Sequence, residues 1–185
     1  MGLLSLEQSR ASVRADFAFY GLVVLVLAVV ALLDTPRTEL WPALGWTAAG
    51  ITAWTLAEYG LHRYVLHGLQ PFKRWHARHH AHPRALIATP TLLTAVLFGV
   101  FVFLPAWWLA PSWRGAAATL GVMIGYLAYI GTHHAVHQAT GQGVWLRRHQ
   151  RWHALHHRPG AEACYGVSVR VWDRVFGSAQ TGLRP

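Results

Sequence analysis

Four long stretches of the chain carry no charged side chain: residues 17–33, 41–57, 85–110 and 115–132. Polar, basic segments separate or flank them. A bilayer-spanning helix needs about 20 mostly apolar residues, within a range of about 17 to 25, so each stretch is long enough to cross. The second extends through Glu58 and Tyr59 to Leu61 if its end lies in a polar site. The third carries Pro90 and Pro105, which predicts a kink or an interfacial first turn. The pattern predicts four transmembrane helices, over about 17–33, 41–61, 88–110 and 115–133, within a single domain of residues 1–185. Two polar segments, 62–84 and 134–185, lie outside the helices and hold the histidines. Arg10 and Arg14 ahead of the first apolar run resemble the start of a secretory signal. The run is long, however, and Leu32, Leu33, Asp34, Thr35 and Pro36 offer no small-residue cleavage site, so it reads as a retained helix.

Charge adds an orientation. Only 12% of the residues are charged, against about 25% in a soluble domain, which again points to a bilayer. The formal net charge is nevertheless +9. Nucleic acid is the first partner such a charge suggests. The basic residues are interleaved with apolar runs, though, and no nucleic-acid partner is expected. Arg10 and Arg14 precede the first helix. Arg63, Lys73, Arg74, Arg78 and Arg84 lie between the second and third, and Arg147, Arg148, Arg151, Arg158, Arg170, Arg174 and Arg184 follow the fourth. The other loops hold only Arg37 and Arg114. By the positive-inside rule both termini are cytoplasmic, and a bacterial inner membrane is the expected location. The one cysteine, Cys164, cannot form an internal disulfide and reads as a small turn residue.

The chemistry lies in thirteen histidines, all at or beyond the helix ends on the basic side. His76, His79 and His80 fall at i, i+3 and i+4, on one helical face, and His153, His156 and His157 repeat that spacing. His133 and His137 are four apart. His62 and His67 are five apart, about 140° on an ideal helix, and converge only where the helix kinks or ends between them. Imidazole suits Fe, Zn, Cu and Ni, and two such ions with about five ligands each need about ten side chains. These four clusters supply that many. Asp and Glu total seven in the whole chain. The carboxylate-rich di-iron pattern with Glu-x-x-His is therefore absent, and a site made here is nearly all histidine.

Neighbouring residues carry two readings each. His134 lies off the His133 face but could pair with His137 in its place; His149 shares the His153 face and is expected behind the ligands. His82 is assigned no role. Glu58, one turn before His62, either accepts the second ring proton of a ligating histidine or completes a helix end. Tyr126 and Tyr129, seven and four before His133, either line a substrate cavity or pack between helices. Trp75 and Trp152 read as interfacial anchors. Trp172 and Asp173 are expected to close the C-terminal segment over the site, Asp173 against an arginine.

The series His62-x4-His67, His76-x2-His79-His80, His133-x3-His137 and His153-x2-His156-His157 resembles the fatty acid hydroxylase / sterol desaturase superfamily of membrane di-iron enzymes. Within it the likeness is to fatty acid 2-hydroxylases. Three stretches carry it: EYGLHRYVLH (58–67), the two tyrosines before His133, and YGVSVRVWDRVFG (165–177). The resemblance implies two iron ions, which zinc can replace in purified protein, and O2 as co-substrate. It also implies a lipid substrate drawn from the bilayer, with hydroxylation of a fatty acyl chain at carbon 2. Members often carry a cytochrome b5 domain with an HPGG haem motif, which this chain lacks. A separate ferredoxin or cytochrome with its reductase is therefore the expected electron donor. Ile130 stands where the family tends to have Asp, and WHARHHAHP resembles a stretch of carotenoid ring hydroxylases.

The fold expected is an all-α integral membrane four-helix bundle with a cytoplasmic helical cap holding a histidine-rich dinuclear metal site. Two other functions stay in view. One is carotenoid or sterol hydroxylation or desaturation, which needs a rigid cavity for rings or polyenes. The other is metal binding or transport, which predicts ionisable residues mid-membrane; the helix interiors offer only Thr, Tyr and Trp.

Overall fold

The structure is a computed structural model that describes residues 7–110, 112–140 and 143–180. Arg184 of the basic tail falls outside them, as do 141–142 and 181–185 of the segment 134–185. The described chain is helical, with one isolated antiparallel bridge between Glu7 and Ile87. The helices are α1 (Arg10–Asp34), α2 (Leu40–Gly60), α3 (Phe72–Ala81), α4 (Thr91–Phe98), α5 (Leu104–Leu109), α6 (Trp113–Gln138), α7 (Val144–His156) and α8 (Val171–Val175). Two π-helical turns interrupt the regular pattern. One, Leu61–Leu66, continues α2. The other, Gly99–Phe103, joins α4 to α5 just ahead of Pro105. Proline lacks an N–H and its ring crowds the carbonyl four residues back, and the wider turn accommodates both. Residues 85–90 are not helical, and α4 starts after Pro90.

The chain forms two compact units, Met1–Trp54 with Ala85–Leu127, and Thr55–Arg84 with Ala128–Pro185. In the first, Ser9 caps α1 by accepting from the Ser12 amide at 3.0 Å. This lets α1 begin in polar sequence, well before the apolar run. Asp16 accepts from Gln8 at 2.9 Å and from the Thr91 hydroxyl. An aromatic group closes the interior: the Tyr126 ring lies 4.8 Å from Tyr20, 5.1 Å from Trp54 and 4.7 Å from Phe98, centroid to centroid. The Tyr20 hydroxyl hydrogen-bonds the Thr94 hydroxyl at 2.6 Å. Helices α2 and α6 meet backbone to backbone: a Cβ on Gly50 would lie 2.1 Å from the Ala118 carbonyl oxygen, and one on Gly121 would lie 2.0 Å from that of Thr47.

Among the described residues, three helices are long and apolar enough to cross a membrane: Arg10–Asp34, Thr91–Leu109 and Trp113–Gln138. Helix α2 is outside that set, although its 21 residues match the about 20 a span needs; its Gly, Thr and Glu residues dilute its apolarity. The helices turn large apolar side chains outward, among them Leu22, Leu25, Leu32 and Leu33 of α1 and Phe101, Trp107 and Leu109 of the α4–α5 stretch. A soluble protein rarely exposes so continuous an apolar surface. The chain is an integral membrane protein.

Candidate metal centre

The second unit gathers the histidines. Helix α3 presents His76, His79 and His80 from one face, and α7 presents His153, His156 and His157. The end of α6 supplies His133 and His137. The five-residue spacing of His62 and His67 is resolved by the π-turn. Its ladder bond runs from the His67 N–H to the His62 carbonyl, 3.2 Å, an i→i+5 register. Residues five apart then share a face, and the two ring centroids are 5.3 Å apart.

The rings fall into two groups. One nitrogen each from His62, His67, His76, His80 and His156 lie within 4.8 Å of one another, and so do those from His79, His133, His137 and His153. His157 adjoins both: its Nε2 is 3.0 Å from that of His153, and its ring stacks on His80 at 4.1 Å. His133, not His134, joins the second group; His134 and His82 are exposed and belong to neither.

The donor set fits metal ions. Nε2 atoms approach in pairs: His62 to His76 at 3.0 Å, His80 to His76 at 3.0 Å and His67 to His156 at 3.1 Å. In the second group, His79 to His133 is 3.1 Å and His137 to His153 is 2.8 Å. Two imidazole nitrogens bound at about 2.1 Å to one ion, at right angles, lie about 3.0 Å apart. Two of the rings have their tautomer fixed by backbone. His62 Nδ1 donates to the Tyr165 carbonyl at 2.5 Å and His156 Nδ1 to the Ala163 carbonyl at 2.9 Å. In a neutral ring each Nε2 is then a bare lone pair. Burial keeps the rings neutral, with mutual repulsion adding to it: His67 is lowered to about 4, His79 and His156 to about 3 and His157 to about 2. Lone pairs crowded this closely suit a shared cation.

The two carbonyls come from a strap, residues 163–168, that is buried over 163–167. Cys164, fully buried, adopts φ 58°, a left-handed conformation costing an L-residue about 1–2 kcal/mol. Its amide is held by the Ser178 carbonyl at 2.9 Å. Asp173, also fully buried, accepts from the Tyr165 amide at 2.8 Å, the Gly166 amide at 2.9 Å and the Ser178 hydroxyl at 2.8 Å. Asp173 therefore binds backbone, not the arginine expected of it. Glu58 accepts from the Val167 and Ser168 amides, both at 2.8 Å, and from the Ser168 hydroxyl. Of the two readings weighed for Glu58, orienting a ring or completing a helix end, neither describes its contacts: both its oxygens accept from the strap, and the His62 ring meets the Tyr165 carbonyl. His149 also meets the strap, at the Ser168 carbonyl, 3.3 Å, and stacks on Trp145. The motif at 165–177 marked this stretch in the sequence, and the structure shows why Gly166 stands in it: a Cβ there would lie 2.8 Å from Asp173 Oδ2 and 2.1 Å from the Val169 carbonyl oxygen. Tyr129 stacks on His133 at 5.8 Å with rings 9° apart, while Tyr126 belongs to the aromatic group of the first unit.

The sequence model of the family described as fatty acid hydroxylase matches residues 47–178. The chain is similar to dihydroceramide fatty acyl 2-hydroxylase FAH2 of Arabidopsis thaliana, 30% identical over 165 residues, covering 83% of this chain and 68% of that one. It is 29% identical to the ceramide very long chain fatty acid hydroxylase scs7 of Schizosaccharomyces pombe, covering 70% of this chain and 40% of the relative. With the human fatty acid 2-hydroxylase the identity is 27%, covering 69% and 37%. This chain thus spans about two thirds of the plant relative and well under half of the other two. A solved structure of full-length scs7p, in which only the hydroxylase domain is visible, matches 97% of this chain and 70% of its own with a TM-score of 0.82. At 24% identity that match speaks to the fold.

Proposed function

The chain belongs to the fatty acid hydroxylase family, and from that premise we propose that it is a di-iron enzyme that hydroxylates a fatty acyl chain of a membrane lipid at carbon 2, with O2 as co-substrate. The observation that supports this most is the convergence of nine histidines from four segments into two groups with Nε2 separations near 3 Å, with His157 beside both. His62, His67, His76, His80 and His156 hold one ion and His79, His133, His137 and His153 the other, with His157 between them. Zinc replaces iron where zinc is abundant during expression, since both suit imidazole.

Bound iron supplies the O2-derived oxidising power that an unactivated C–H bond requires and side chains lack. The protein supplies the rest. The carbonyls of Ala163 and Tyr165 fix the tautomers of His156 and His62, so that Nε2 faces the ion. Glu58 and Asp173 hold the strap that carries those carbonyls. Tyr129 and Tyr126 are the side chains proposed to meet the acyl chain, with His149 and His134 outside the ligand sets. In this reading 17–33, 41–61, 88–110 and 115–133 cross the membrane as a four-helix bundle. Residues 62–84 and 134–185 form a cytoplasmic cap, and both termini are cytoplasmic. Electrons come from a separate ferredoxin or cytochrome with its reductase.

The test is lipid mass spectrometry of a host expressing the protein with an electron donor. One added oxygen at carbon 2 of an acyl chain is expected. Loss of two hydrogens, or oxygen on a ring or polyene, would contradict the reading.

A further inference from the structure

A cavity of about 650 Å³ opens onto the first histidine group, where His67, His76, His80 and His157 line it. Its volume is in the range that holds a small-molecule ligand, about 300 to 1,000 Å³. The rest of its wall is unusual for a site that meets a lipid. Arg63, Lys73 and Arg158 line it, against a single acid, Glu162. Among the described residues of these segments, Arg74, Arg78, Arg84, Arg147, Arg148, Arg151, Arg170 and Arg174 are not part of the wall, so the three cations are more than a sample of a basic surface. Arg63 is half-buried and fixed in place. Its guanidinium sits over the rings of Tyr59, Tyr64 and Tyr165 at 5.9, 5.3 and 5.6 Å. Its Nη1 donates to the Tyr59 hydroxyl at 2.5 Å and the Phe176 carbonyl at 3.4 Å, which leaves the donors of Nη2 and Nε.

If carbon 2 of an acyl chain is the atom that reacts, the group attached at carbon 1 must sit against the histidines. This cavity lies beside four of them, His67, His76, His80 and His157. A neutral amide head gives three cations nothing to neutralise, whereas an anion does. Resting on the acyl-hydroxylase reading above, we propose that this cavity selects an acyl substrate with an anionic head, a carboxylate or a phosphate, through Arg63, Lys73 and Arg158.

The experiment compares lipids that differ only in head charge. Full-length protein loaded with zinc, in neutral detergent, is titrated calorimetrically with hexadecanoic acid and its methyl ester, and with ceramide 1-phosphate and ceramide. The anionic member of one pair should bind about tenfold tighter at low salt, and the gap should narrow as salt screens it. A preference within the first pair identifies a carboxylate head, and within the second a phosphate. In Lys73→Gln/Arg158→Gln, which alters two exposed side chains, the gap should fall to about twofold, with the neutral lipid and the metal content unaffected. Equal binding within both pairs, or a gap that survives the double substitution, would overturn the proposal. The same four lipids are offered to the iron-loaded protein with an electron donor. Charge discrimination in binding with no hydroxylated product would remove the acyl-hydroxylase reading and leave the anion site standing.

Discussion

Asp173 and Glu58 each accept from backbone amides of the strap whose carbonyls meet His62 and His156. The histidines were legible because i, i+3, i+4 spacing puts rings on one face wherever a helix forms. The residues that aim them were not. Asp173 acts through backbone amides more than a hundred residues along the chain from His62, and no periodicity reports such a bond. Replacing Asp173 with Asn keeps one acceptor oxygen and turns an amide donor toward the other N–H. A buried donor left unsatisfied costs about 1–3 kcal/mol, and the Tyr165 carbonyl then loses its fixed position against His62. In Asp173→Asn one of two ions should therefore leave about tenfold faster under chelator challenge, in line with substitutions behind metal ligands, while the second leaves at the wild-type rate. Unchanged release of both ions with a lowered melting temperature would mean that the carboxylate only stabilises the fold. A simpler contrast tests the grouping: His79→Ala should lose metal and His82→Ala should retain it. Retained metal in His79→Ala would break up the second group.

At the scale of elements, apolar runs without charge announced helices, but their ends were set by forces that hydropathy does not record. Helix α1 starts at Arg10, where Ser9 caps it, and α6 runs on through its histidines to Gln138. The π-turn at Leu61–Leu66 was legible only as a conflict, two rings expected to converge from positions 140° apart on an ideal helix. It holds the extra residue that the conflict demanded. One alanine inserted between Val65 and Leu66 would place the rings six apart, beyond what the i→i+5 register corrects. Metal analysis of that variant should show the ion of the five-histidine group lost and the other retained; two ions would mean that the turn does not set the geometry. Helices α2 and α6 depend on glycine for a different reason, a close backbone approach of the kind membrane helices favour. Gly121→Ala puts a methyl group against the Thr47 carbonyl, with Gly50 Cα at 2.9 Å, and rigid backbone cannot give way. A loss of about 1–3 kcal/mol is expected in thermal unfolding in detergent, with Gly45→Ala, which meets nothing within 4 Å, unchanged. Equal stability of the two variants would show that the helices shift freely.

For the whole molecule, sequence and structure meet at the polar end of an apolar chain. All-helical architecture and membrane residence were legible, because charge is scarce and the apolar stretches are long. The shared cavity of Arg63, Lys73 and Arg158 was not legible, since only folding brings Arg158 beside the segment that holds the other two. The account's central claim is that ten histidines, with no carboxylate ligand, hold two metal ions in one chain. Mass-spectrometric metal analysis of protein purified from iron-supplemented cells, normalised to protein by amino-acid analysis, tests it directly. The account predicts close to two ions per chain, iron with zinc making up any shortfall. One ion per chain, or none, in protein prepared without chelators would contradict it.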